Sequence, residues 1–354
     1  MKYNKKQGYF LSNTISEWET NGTINKETAD TLRNSYSTRT FDYKKLAEYS
    51  FWIAIICAII SVGAIVADDL LIDLIESLFS SSNMGLSSAF AVLSAVIYYL
   101  GLKRRQKRPE KIFSNEVIIF AGVLFTAASI AYFGKAIDTG SGHFSILFLL
   151  STVIYSCLAL WFPSQLVWIF ALVSLGSWFG TETGYMSGWG AYFLGMNYPL
   201  RFILFGSVLV GISFLFKNSK LYAFYKSTYT MGLLYLFISL WILSIFGNYG
   251  DMDSWYKVKQ IELFHWGLLS ALVAIVAIYY GLKQDDYTSR SIGITFLFIN
   301  LYTKYFEYFW DTTHKALFFF ILAASFWFIG QRAEKIWNLE FLKKDKQIED
   351  RNEV

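Results

Sequence analysis

The stretch TGSGHFSILFLLSTVIYSCLALWFPSQLVWIFALVSLGSWFGT, residues 139–181, decides the fold of this chain. It contains no Asp, Glu, Lys or Arg over 43 residues, whereas one helix needs only about 20 apolar residues to cross a bilayer. The stretch is therefore long enough for two spans. Pro163 and Ser164 mark the turn between them, because proline disfavours helix at the residue before it and is tolerated in the first turn of the next helix.

The composition of the whole chain agrees with a membrane location. Of its 354 residues, 55% are hydrophobic and 16% are charged, whereas soluble domains carry about 25% charged residues. So little polar surface excludes most soluble enzyme classes and nucleic-acid binding. The two cysteines, Cys57 and Cys157, have no metal-ligand spacing, and we predict no cofactor.

We predict an all-α fold, a polytopic transmembrane helical bundle of about ten spans with a small N-terminal helical hairpin. The predicted spans are residues 49–67, 84–102, 113–133, 144–162, 165–179, 200–216, 228–247, 262–282, 291–306 and 316–331. With both termini in the cytoplasm, 25 of the 31 Lys and Arg residues lie on the inner side, as the positive-inside rule requires. This predicts a cytoplasmic hairpin (1–48), a transmembrane domain (49–331) and a basic cytoplasmic tail (332–354).

The segment before the first span has the pattern of two short helices. Residues 14–17 have the spacing of a capping box at a helix start. Gly22 is placed to end the first helix, and Asn25 can cap the second. Trp18 and Leu32 lie at the centre of a shared apolar face. Because two short helices cannot form a stable core alone, we expect this face to bind the membrane domain, a second copy or a protein partner.

The same segment resembles a known family. The sequence WETNGTI at residues 18–24, followed by LRNSY at residues 32–36, looks like a bacterial integral-membrane family catalogued only as a domain of unknown function. The Tyr-rich sequence LYTKYF at residues 301–306, a final apolar helix and the basic residues Arg332 and Lys335 are similar to its C-terminal part. The resemblance implies a bacterial inner-membrane location and supplies no activity, substrate or catalytic residue.

Polar residues that could carry chemistry collect at the predicted outer face. Glu262 and His265 are one helical turn apart at the start of the eighth span. A second group would share a helical face between the ninth and tenth spans: Glu307, Asp311 and His314. Carboxylates and imidazoles are ligands for Zn and Fe and also serve in acid–base catalysis, so we predict these five residues as metal ligands. The alternative is ordinary solvation and pairing, for instance of Lys304 with Glu307.

Three loops have sequence patterns that indicate a role in binding ligands or lipids, beyond connecting two spans. Residues 68–79 have the pattern of a helix lying in the interface plane. Residues 180–199 contain five glycines and many aromatic residues; this loop could close over an apolar ligand or stack on a sugar, or form only an aromatic belt. On the inner side, residues 103–111 are basic enough to hold anionic lipid head groups.

Two classes of function remain. In the first, the protein is a non-enzymatic scaffold or sensor of the bacterial inner membrane, whose hairpin binds a protein partner or a second copy. In the second, it is a transporter or membrane-embedded enzyme that acts on a lipid-like or apolar substrate at the outer leaflet. We favour the first, because no catalytic motif occurs and no Asp, Glu, Lys or Arg lies near the middle of a predicted span. Membrane lipids are partners in both cases.

Overall fold

The computed structural model describes residues 2–35, 37–39, 57, 82–138, 140 and 142–338. Two three-residue strands, β1 (Lys2–Asn4) and β2 (Ser37–Arg39), pair in parallel. The remaining elements of these ranges are helices: α1 (Lys5–Thr20), α2 (Lys26–Asn34), α3 (Asn83–Lys107), α4 (Ile112–Ile137), α5 (Ser145–Trp161), α6 (Gln165–Met186), α7 (Tyr198–Phe216), α8 (Tyr222–Phe246), α9 (Met252–Tyr256), a 3-10 helix (Gln260–Leu263), α10 (Phe264–Lys283), α11 (Tyr287–Phe309) and α12 (Lys315–Asn338). The predicted helical class is confirmed for this part of the chain.

Six of the described helices are long and apolar enough to cross a bilayer: α3, α4, α6, α7, α8 and α10 with its preceding 3-10 helix. Helix α5 and residues 315–331 of α12 are shorter apolar helices. The predicted ninth span lies within α11, which is not among the six. The first span and the helix of residues 68–79 fall, apart from residue 57, outside the described residues. Six candidate spans indicate a membrane-embedded protein, and the count of ten stays a prediction.

Apolar side chains that face outward from these helices agree with a lipid environment. Along α10, one side exposes a continuous apolar surface formed by Leu268, Leu272, Ile275, Val276 and Tyr279. The opposite side is buried and consists of small residues, namely Gly267, Ser270, Ala274 and Gly281. Soluble proteins rarely expose apolar surface of this extent, whereas membrane helices pack through small residues and turn large apolar ones to lipid.

The chain divides into two compact units, residues 1–86 with 95–122 and residues 87–94 with 123–354. In the first unit α1 and α2 contact each other. Arg33 donates a hydrogen bond of 2.8 Å to the carboxylate of Glu19. The buried apolar side chains here are Ile15 and Ala29, whereas Trp18 is 46% exposed and Leu32 is half-buried. The sequence predicts a contact between α1 and α2 that is centred on Trp18 and Leu32. In the structure, this contact is centred on Ile15 and Ala29 instead.

The helix boundaries near the N-terminus confirm two predictions and correct a third. Gly22 has a φ of +69° just beyond the end of α1, a conformation that glycine adopts without strain. The side chain of Asn25 caps α2 by accepting a hydrogen bond of 2.8 Å from the backbone N–H of Thr28. The capping box predicted at residues 14–17 is wrong, because α1 begins at Lys5 and these residues lie inside it.

Helix α8 is the centre of the second unit and packs against α6, α7, α10 and α11. One buried cluster joins three of these helices through the side chains of Tyr229, Leu233, Phe237 and Leu240 of α8, Ala274 of α10 and Phe296 of α11. Gly206 and Gly232 let the backbones of α7 and α8 approach closely, since a Cβ on Gly206 would lie 2.5 Å from the N of Leu236. This is the small-residue packing expected of membrane helices.

The turn predicted at Pro163 and Ser164 is confirmed, because α5 ends at Trp161 and the Ser164 side chain caps α6. Two other boundaries differ. Helix α6 continues to Met186, so the predicted loop of residues 180–199 is reduced to residues 187–197. Helix α12 continues to Asn338, past the predicted domain boundary at residue 331. In both places the helix extends beyond the apolar window, since backbone hydrogen bonding continues until a cap or turn stops it.

Candidate ligand-binding cleft

The loop between α6 and α7 is a folded turn that positions several aromatic side chains. Phe193 and Met196 exchange two backbone hydrogen bonds of 3.0 Å. Between them, Leu194 and Gly195 have φ values of +51° and +74°, as a two-residue type I′ turn requires. Leu194 is a non-glycine residue in this region, which costs conformational energy unless the surroundings fix it.

Arg201, in the first turn of α7, fixes this loop by binding its backbone carbonyl groups. Its side chain is 1% exposed. The guanidinium donates hydrogen bonds of 3.0 Å to the carbonyl oxygens of Met196 and Ala191, and its carbon lies 4.5 Å from the centre of the Tyr198 ring. In the described part of the chain no carboxylate lies within 4.0 Å of it, so carbonyl dipoles and aromatic faces stabilise the buried charge. The sequence placed Arg201 at the outer end of the predicted span of residues 200–216 and did not predict its burial.

Two asparagines connect this loop to the end of α8. The Asn197 side chain donates a hydrogen bond of 2.8 Å to the carbonyl of Gly247. The Asn248 side chain accepts one of 3.0 Å from the Asn197 backbone and donates one of 3.0 Å to the carbonyl of Gly195. These bonds satisfy loop backbone groups that would otherwise be unpaired. The loops of residues 187–197 and 247–251 therefore form one connected structure.

A cleft of about 510 Å³ opens between these two loops and the adjoining ends of α7 and α8. Its lining is mainly aromatic and apolar, and includes Trp189, Tyr198, Phe246, Tyr249, Met252 and Trp255. We call it the aromatic cleft. A second cavity of about 370 Å³ shares Trp189 and Tyr198 with it and runs along α6 to Tyr235 of α8. Apolar lining of this extent, with few polar groups, is typical of small-molecule sites.

Asn197 and Asp251 supply polar groups to the aromatic cleft. The Asp251 carboxylate caps α9 by accepting hydrogen bonds from the backbone N–H and the hydroxyl of Ser254, at 2.7 and 2.9 Å. These two bonds lower the pKa of the Asp251 carboxyl below its ordinary value, because they stabilise the charged form. The cleft therefore has a negative charge at its edge at neutral pH.

A histidine and a glutamate meet beside the cleft. The Nε2 of His143 lies 2.9 Å from Oε2 of Glu182, and the Ser145 hydroxyl donates to the same oxygen at 2.5 Å. The His143 ring stacks on Tyr185 with the centres 4.0 Å apart. In a nucleophilic triad the histidine lies between the serine and the carboxylate, whereas here the carboxylate lies between the other two. The group therefore holds the start of α5 to the end of α6 and does not activate Ser145.

The structure does not bring together the five residues predicted as metal ligands. Glu262, His265, Asp311 and His314 are exposed. Glu307 pairs with Lys304 at 2.5 Å, as the alternative interpretation of the sequence predicts. Among the residues that the structure describes, no three His, Cys, Asp or Glu side chains form a group that could hold a metal ion. The five residues share a predicted membrane face, but sharing a face does not make them converge on one point.

Sequence reasoning identified the aromatic loop that lines the cleft, but it missed three residues around that loop: His143, Glu182 and Arg201. Glu182 ends the charge-free stretch, which marks it as the first ionisable residue after a long apolar run, but nothing in the spacing indicates His143 as its partner. Arg201 follows the loop aromatics directly, and that neighbourhood was the only signal of a cation–aromatic cluster. No protein-family model, no curated protein and no solved structure matches the chain.

Proposed function

We propose that this chain is a non-enzymatic membrane protein that binds an amphipathic, lipid-like ligand in the aromatic cleft. The observation that carries the proposal is the cleft itself, an aromatic cavity with the Asp251 carboxylate at its edge. Aromatic faces take up apolar chains or rings, and the carboxylate favours a hydroxylated or cationic head group. A binding role is preferred to catalysis because the Ser145, His143 and Glu182 group lacks the order that a nucleophile needs.

We further propose ten spans, both termini in the cytoplasm and a bacterial inner-membrane location. This topology is supported by the basic-residue distribution and by two contacts: His143 with Glu182, and Asn197 with Gly247. Each contact joins segments that the ten-span topology places on the outer side. Reporter fusions at residues 106, 190 and 354 test it, and an exported C-terminus would contradict it.

The ligand proposal can be tested with two neighbouring tyrosines, one in the loop after α8 and one at the end of α9. Tyr249 lines the aromatic cleft, whereas Tyr256 is 74% exposed and does not. The protein is purified in mild detergent, and the amphipathic molecules that copurify are extracted and identified by mass spectrometry. We expect Tyr249→Ala to release less of one species than the wild type, because truncation removes an aromatic wall, and Tyr256→Ala to release the same amount. Equal recovery from all three proteins would contradict the proposal.

A second candidate function, a scaffold role for the N-terminal helices, is favoured by a separate observation. On α1 the side chains of Phe10 and Trp18 are 69% and 46% exposed, whereas isolated helices of this length are stable only when an apolar face is covered. Trp18, with Leu32 on α2, would then bind a protein partner or a second copy. Trp18→Asp should reduce the size of the purified complex and leave membrane insertion intact. An unchanged complex would leave these helices without a binding role.

A further inference from the structure

Four basic side chains at the C-terminal end of α3 line one groove. Lys103, Arg104, Lys107 and Arg108 follow the spacing i, i+1, i+4 and i+5, which places them on adjacent helical faces. Together with Leu100 and Ile118 they line a cavity of about 470 Å³. We call this the basic groove. All of its lining residues lie in the first compact unit.

One cation of the basic groove, Arg104, is held in place by a hydrogen bond, and no described carboxylate neutralises the four. Arg104 donates a hydrogen bond of 2.7 Å from one terminal nitrogen to the Ser114 hydroxyl, which fixes its guanidinium. The Nε of Arg104 is buried and has no hydrogen-bond partner among the residues that the structure describes. In the described residues, no carboxylate lies within 4.0 Å of any of the four basic groups. A buried donor without an acceptor is costly, so the Arg104 guanidinium keeps an unused hydrogen-bond donor.

Helix geometry alone accounts for only part of this charge. The C-terminus of a helix carries the equivalent of about half a negative charge, which one basic side chain in the last turn can balance. The backbone N–H of Arg108 already donates to the Arg104 carbonyl at 2.8 Å. Four cations therefore leave a large positive excess in one small cavity.

We propose that the basic groove binds a phosphate group, supplied by the head group of an anionic phospholipid. Arginine presents paired N–H donors that match phosphate oxygens. The lipid source is favoured by the preceding turns of α3, where Val96, Tyr99 and the groove residue Leu100 are exposed apolar or aromatic side chains. These side chains can take the acyl chains while the cations hold the phosphate. This site is separate from the aromatic cleft and does not depend on the ligand proposed there.

Native mass spectrometry of the detergent-solubilised full chain tests the proposal. The protein is titrated with dioleoylphosphatidylglycerol and, in parallel, with dioleoylphosphatidylcholine. We expect the wild type to retain phosphatidylglycerol in preference to phosphatidylcholine. The double variant Lys107→Gln/Arg108→Gln removes two exposed cations of the groove. It should weaken phosphatidylglycerol binding about 30-fold, because each basic residue near a membrane surface contributes a factor of about five to the affinity. The matched control is Lys217→Gln/Lys220→Gln, an exposed basic pair at the end of α7, which should bind as the wild type does.

A second variant guards against a folding defect, because Arg104→Lys keeps the charge but loses the paired donors and should show intermediate binding. A separate titration with inorganic phosphate distinguishes the two sources of the anion. Retention of phosphatidylglycerol at millimolar phosphate supports a lipid site. Three results would overturn the proposal: displacement by phosphate at that concentration, equal retention of both lipids, and a loss in the control pair as large as in the groove pair.

Discussion

Among the described membrane helices, Gly206 is the position where one added methyl group should overlap most closely with the backbone of a neighbouring helix. A Cβ there would lie 2.5 Å from the backbone N of Leu236 and 2.9 Å from the backbone oxygen of Gly232, whereas ordinary contacts are 3.4 to 4 Å. Because both neighbours are backbone atoms, a side-chain rotation cannot relieve the overlap, and α7 and α8 must separate. Overpacking of this kind costs about 1–3 kcal/mol.

Gly211 on the same helix supplies the control, since a Cβ there would meet nothing within 4 Å. Both Gly→Ala changes gain about the same helix propensity, so the difference between Gly206→Ala and Gly211→Ala isolates the overpacking. At about 2 °C per kcal/mol, Gly206→Ala should melt about 2–6 °C below Gly211→Ala in detergent at one heating rate. Gly206→Val should melt lower still. If the two alanine variants melt within about 1 °C of each other, α7 and α8 are not packed as closely as described.

Three further outcomes are expected. The side chains of Lys304 and Glu307 are each 13% exposed. Lys304→Met should leave the Glu307 carboxylate unpaired and lower the stability in thermal melts by about 3–5 kcal/mol. A Lys→Met change at an exposed lysine should not have this effect. Arg201→Met should make chymotrypsin cleave the loop of residues 187–197 roughly tenfold faster or more, because its carbonyl contacts are lost; an unchanged rate means that Arg201 does not order the loop. The pKa of the Asp251 carboxyl is lowered from its ordinary value of 3.8. The Asp251 cap of α9 therefore stabilises the loop fully above about pH 3.8, and this stabilisation is lost as the pH falls through the lowered pKa. Pepsin cleavage after residue 248 should therefore increase more steeply below about pH 4 in the wild type than in Asp251→Ala.

The amino-acid sequence by itself determined the helical segments and several of their ends. A charge-free run of 43 residues requires helices, because each backbone N–H and C=O in lipid must be paired within its own segment. Pro163 with Ser164, and Gly22 with Asn25, act through their own backbone conformation or a bond to a residue three positions away. Such local effects need no knowledge of the rest of the fold. The pairing of Lys304 with Glu307 was predictable for the same reason, since the two residues are one turn apart on a helix.

Only the tertiary structure decided which residues form a site. The contacts of His143 with Glu182, of Asn197 with Gly247 and of Arg201 with the loop carbonyls join segments far apart in the chain or fold a loop back on itself. A helix that is apolar on all sides gives no indication of which face is inward, so the neighbours of each membrane helix cannot be inferred from its composition. Two residues at the same predicted depth in the membrane, such as Glu262 and His314, can therefore lie on different sides of the helical bundle. Convergence on one cavity depends on helix packing, which the small residues of α7, α8 and α10 set through close backbone approach.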